Sequence, residues 1–137
     1  MIFIPGSVPS SKNSRILTRS GLFIASKATQ LWRKDTGLIW SKERKTFNIE
    51  CTGKLFPLFV GMHFVRKTKH KYDFVNPVQT IQDEMVHHKW IEDDNTGILY
   101  PLPLKINGEY SSYDPKNPGV YIHVYSSPEE CNTNFII

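Results

Sequence analysis

Residues 55–65, running from Leu55 to Val65 through Phe56, Phe59, Val60 and Phe64, hold no acid, lysine or arginine and are dense in aromatic and branched side chains. The run is far shorter than the roughly 20 residues that span a bilayer. It is rich in strand formers and ends abruptly in charge, so it predicts a central β-strand around which the other elements must be arranged.

The flanking pattern supplies those elements. Residues 1–5 read as a short strand leading into a loop of turn formers, Pro5-Gly6-Ser7-Val8-Pro9-Ser10-Ser11-Lys12-Asn13. Gly21 to Ile24 reads as a second strand. Ala28, Leu31, Trp32, Leu38 and Ile39 recur at helical spacing behind Ser26, a good N-cap, and predict an amphipathic helix over 27–45. Asn76 and Pro77 predict the start of a second helix, with Gln79 completing a capping box. Val78, Ile81 and Met85 would be its buried stripe, with Gln79, Asp83 and His87 on another face. Trp90 and Ile91 would anchor its exit before a polar turn, Glu92-Asp93-Asp94-Asn95. A proline-containing loop, with Pro101, Pro103, Pro115 and Pro118, leads to a last strand over 120–125. Strands and helices in this order predict one α+β domain over 1–137, a small mixed β-sheet with two main helices covering one face.

Charge is segregated along the chain. Residues 1–71 carry 14 Lys/Arg against 3 acids, and residues 72–137 carry 3 against 10, so halves of +11 and −7 lie behind the net +4. Segregation of this kind suggests a polyanion partner and an acidic or metal site on one molecule. The most basic segment, Arg66-Lys67-Thr68-Lys69-His70-Lys71, runs directly into Asp73, with Asp83, Asp93 and Asp94 following. Carboxylates brought together repel and recruit a cation, and Mg²⁺, which takes oxygen ligands and keeps waters, is the natural one. Arg66, Lys67, Lys69 and Lys71 would hold phosphates beside it. On spacing alone, however, an ordinary solvated turn at 92–95 and a solvated helix face at Asp83 are the leading readings. The two cysteines, Cys51 and Cys131, are far apart and read as free thiols. The absence of a basic start and long apolar stretch predicts a cytoplasmic protein with no membrane partner.

Two motifs together resemble the RusA-type Holliday junction resolvases. One is Ile4-Pro5-Gly6 followed by Pro9-Ser10-Ser11-Lys12-Asn13-Ser14-Arg15, similar to that family's Pro-Ser-x-Asn loop. The other runs from Asp73 through Asn76 and Asp83 to Trp90-Ile91-Glu92-Asp93-Asp94. The resemblance covers residues 1–100 and the closing strand. It implies a RusA-like fold and a homodimer that cuts four-way DNA junctions using Mg²⁺, or Mn²⁺. It makes Asp73 and Asp94 the outer catalytic and metal-binding aspartates and Asp93 their neighbour, with Asp83 and Asn76 in support. Lys12, Asn13 and Arg15 would contact DNA. Two positions depart from the family pattern: Val75 stands where an aspartate is expected, and Gln79 where a lysine is expected. The first removes a metal ligand, and the second replaces a cation by an amide. The implied alternatives are a weakened enzyme that needs Mn²⁺, a protein that binds branched DNA without cutting it, and a protein sharing the fold alone.

Overall fold

The computed structural model describes residues 1–10 and 15–137, with only the backbone of Arg15 and Phe23. The fold is α+β. The element order is β1 (Ile2–Pro5), β2 (Arg15–Leu17), β3 (Phe23–Ala25), α1 (Lys27–Cys51), β4 (Leu58–Arg66), α2 (Val75–His87), β5 (Leu99–Pro103), β6 (Lys105–Ile106), β7 (Ser111–Tyr113), β8 (Gly119–Tyr125), a 3₁₀ turn (Pro128–Asn132) and β9 (Asn134–Phe135).

The expected central strand is β4. It pairs antiparallel with β8 and parallel with both β5 and β7, and β8 pairs antiparallel with β1, giving a mixed five-stranded sheet. Alternation sets its two faces. Ile2, Ile4, Leu58, Val60, Met62, Phe64, Val120, Ile122 and Val124 pack with Trp32, Trp40 and Phe47 of α1 and with Val78, Ile81 and Met85 of α2. The opposite face carries a smaller cluster of Leu104, Ile106 and Tyr125, with Phe59, Tyr121, Cys131 and Phe135 against it. The segments after β5 and after β8 are therefore cover for the second sheet face.

Ser26 caps α1 as expected, its Oγ accepting from the Thr29 N–H at 3.2 Å. The inward stripe differs from the predicted one: Leu31 and Leu38 are 57% and 86% exposed, and the buried positions are Thr29, Trp32, Thr36, Trp40 and Phe47. Two threonines take inward positions because their hydroxyls are satisfied locally. Thr36 Oγ1 donates to the Trp32 carbonyl at 2.9 Å, which removes the penalty of burying it.

Pro101 and Pro103 lie within β5 rather than in a loop. Leu104 N–H donates to the Met62 carbonyl, so the alternate positions 101 and 103 turn their missing donors away from β4. This is where an edge strand tolerates proline. Pairing of β2 with β3 makes a hairpin of which only the second strand was predicted, displaced slightly towards Ala25. Among the described residues, no helix is long and apolar enough to cross a membrane.

Candidate functional site

Helix α2 begins at Val75, one residue upstream of the expected cap. Phe74 occupies the cap position, makes no side-chain cap bond, and Asn76 lies inside the first turn, its N–H on the Asp73 carbonyl at 3.1 Å. Pro77 is harmless there because the first-turn N–H groups have no intrahelical partner. The capping box does not form. Instead the Gln79 amide points along the helix, and Nε2 donates to Asp83 Oδ1 at 2.9 Å and to Asp94 Oδ2 at 3.4 Å.

That amide ties the helix to the turn behind it. Trp90 is buried, donates Nε1–H to the Trp40 carbonyl at 2.8 Å, stacks on Phe47 with ring centres 4.9 Å apart, and packs tilted against Trp40 at 4.8 Å. With Ile91 also buried, the chain leaves the core at a fixed point and presents residues 92–95 to solvent. Asp93 folds back into this turn, accepting from the Asp94 N–H at 2.8 Å and from the Asn95 amide at 3.0 Å. The Asn95 amide, then the Asp94 N–H, hold the Asp93 carboxyl below the usual carboxylate range. Asp93 thus shapes the turn, while Asp94 faces Gln79.

Asp73 lies at the mouth of α2. It lines a cleft of about 410 Å³ with Val8, Ser10, Arg66, Lys71 and Asn76. Thr80 Oγ1 donates to the Pro9 carbonyl at 2.7 Å and pins the N-terminal loop against α2. The loop and the acidic segment are therefore neighbours. Lys12 and Asn13 lie outside the described residues, as does the Arg15 side chain. Lys67, Lys69 and Lys71 are exposed.

The structure brings Asp83 and Asp94 onto one amide and Asp73 and Asn76 into one cleft with the basic segment. Among the described residues, no three carboxylate, imidazole or thiol side chains converge closely enough to hold a metal ion. Two carboxylates sharing a neutral donor still leave two negative charges at the same place. What they offer a cation is carboxylate oxygen, the kind that suits Mg²⁺ or Mn²⁺, while the Gln79 nitrogen between them is a donor and no ligand.

Two tyrosines were missed by sequence reasoning. The Arg66 guanidinium lies 4.0 Å from the centre of the Tyr72 ring, and Lys69 Nζ lies 4.9 Å from that of Tyr113. Tyr72 is close in sequence to the basic segment. Tyr113 gives no local signal, since only the pairing of β7 with β4, Arg66 opposite Tyr113, places it there. No protein-family model matches this chain, and no curated protein matches it either.

Proposed function

We propose that this chain is a RusA-like, structure-selective endodeoxyribonuclease of the cytoplasm, cutting four-way DNA junctions as a homodimer with Mg²⁺ or Mn²⁺. The observation that supports this best is the cleft in which Asp73 and Asn76 meet Arg66, Lys71 and the N-terminal loop. One turn further along α2, Gln79 holds Asp83 and Asp94 together. Asp73 and Asp94 are the proposed metal-binding acids, with Asp83 beside Asp94; Asp93, the third acid that the resemblance implies, is held in its own turn. A cation bound there would neutralise a phosphate oxygen and acidify a bound water. Arg66, Lys67, Lys69 and Lys71 bind the flanking phosphates, and Gln79 orients two carboxylates towards the scissile one. A four-way junction has two-fold symmetry, so paired nicks call for two such sites in a symmetric dimer.

A second reading, junction binding without cleavage, is favoured by the Gln79 amide itself. It gives Asp83 and Asp94 hydrogen-bond donors but no positive charge to balance a transition state. A nicking assay on a synthetic four-way junction, in Mg²⁺ and in Mn²⁺, separates the two. Symmetric nicks that vanish in Asp73→Asn and in Asp94→Asn support the nuclease. Salt-sensitive junction binding with no nicks in either metal supports the binding protein, and no preference for branched over linear DNA refutes both.

A further inference from the structure

We propose that Tyr113 is a stacking platform for an unpaired nucleobase, which lets the protein tell branched or single-stranded DNA from continuous duplex. This rests on the DNA-binding reading above and adds the chemical group recognised. The ring sits at the end of β7, 47% exposed, where strand pairing sets it beside Arg66 at the end of β4. Register neighbours in a parallel pair project from the same sheet face, so Tyr113 stands on the side that Phe64 and Arg66 occupy. Its backbone continuation is fixed too, with Asp114 N–H on the Arg66 carbonyl at 2.9 Å.

Charge around the ring is of the sign a nucleic acid requires. Lys69 Nζ lies over it at 4.9 Å, and the neighbouring Arg66 guanidinium is itself held flat against Tyr72. Lys67 and Lys71 are exposed on the same loop. A half-exposed aromatic with Lys69 over one face, paired in register with Arg66 of the Asp73 cleft, offers its remaining π-surface to a base and charge to the phosphates on either side of it. Bases in continuous duplex have no free face to give, whereas those at a branch point or in a single strand do. Tyr100 and Tyr110 are exposed to a similar degree; what sets Tyr113 apart is its strand pairing with Arg66, which lines the Asp73 cleft.

The test compares the full chain with Tyr113→Ala and Tyr113→Phe, using melting temperature to confirm that each is folded. The probes are a four-way junction carrying 2-aminopurine at the crossover, a single-stranded oligonucleotide and a linear duplex of the same length. Stacking of one base is worth roughly 1–3 kcal/mol. Tyr113→Ala should therefore bind the junction and the single strand roughly 5- to 150-fold more weakly, with duplex affinity unchanged. Tyr113→Phe should keep the affinity of the unaltered chain. The 2-aminopurine signal should be quenched on binding by the unaltered chain and not by Tyr113→Ala. Unaltered junction affinity in Tyr113→Ala overturns the platform and leaves the DNA-binding reading standing, as does an equal loss for duplex. A loss in Tyr113→Phe matching that in Tyr113→Ala assigns the effect to the hydroxyl and also overturns it. Failure of the unaltered chain to bind any of the three DNAs overturns both proposals.

Discussion

Truncating Trp90 to alanine should loosen the acidic turn as well as destabilise the fold. Trp90 is 5% exposed, stacked on Phe47, tilted against Trp40, and bonded through its indole N–H to the Trp40 carbonyl. A buried tryptophan hides about 200 Å², so about 5 kcal/mol of transfer free energy is at stake, of which the alanine keeps a small part. The expected loss is about 4 kcal/mol, within the range measured for such truncations. For a chain of 137 residues the unfolding entropy is about 0.29 kcal/mol per kelvin, so Tm should fall by about 14 °C. Trp90→Phe keeps one ring against Phe47 and loses the hydrogen bond, so about 1–2 kcal/mol and about 5 °C are expected. The assay is thermal unfolding of the three proteins, followed by junction binding and nicking at 25 °C, well below the melts. Asp94 follows Trp90 by one short turn, so on the proposed nuclease reading the alanine variant should lose nicking at a temperature where it is still folded. A fall of less than about 1 kcal/mol in Trp90→Ala would refute the anchoring argument, as would identical melts for the alanine and phenylalanine variants.

Val75 is 68% exposed in the first turn of α2, where an acid is favoured by the helix dipole. Val75→Asp should leave Tm nearly unchanged and lower the Mg²⁺ concentration needed for both calorimetric binding and nicking; unchanged metal affinity would sink the proposed ligand set. His63 is buried with Nδ1 at 2.9 Å from the Leu104 carbonyl, so that nitrogen carries the proton and Nε2 accepts from Ser112 Oγ at 2.9 Å. Burial lowers its pKa below the ordinary 6.5. The unfolded chain therefore takes up a proton more readily. Stability should be full above about pH 6.5 and fall as pH drops towards the folded value, with a shallower fall in His63→Gln. Burial pushes the Cys51 thiol up to about 11. At neutral pH its alkylation by iodoacetamide should be roughly 100-fold slower than that of a cysteine in a short peptide; equal rates would contradict the burial.

Much of the fold was legible because its signals are local. The β4 run, the buried stripe of α2 and the alternating pattern of β8 each announce themselves within a few residues. The misreadings share one cause, in that the deciding partner is remote or polar. Thr29 and Thr36 face the core of α1, and a hydrophobicity pattern passes over them in favour of Leu31 and Leu38. Pro101 and Pro103 argue for a loop until β4 is known to lie on the other side of their strand. At the site, the order of Asp73, Asn76, Asp83 and Asp94 could be read from the chain. That Gln79 would hold two of these acids, instead of capping its own helix, depended on where the Trp90 anchor returns the chain. Tyr113 was invisible for the same reason.

The position of β8 between β1 and β4 has a kinetic consequence. The first strand has no neighbour of its own until the last long one arrives, and Ile2 pairs with Ile122 across 120 residues. Closing such a loop costs roughly 4 kcal/mol of chain entropy before any pairing repays it. Folding should therefore be slow for the chain's length and gated by one late event. On the ribosome, α2 and its acidic turn emerge well before β8, so the helix bearing the acids waits on an unfinished sheet, and β8 must leave the exit tunnel before the domain can close around them.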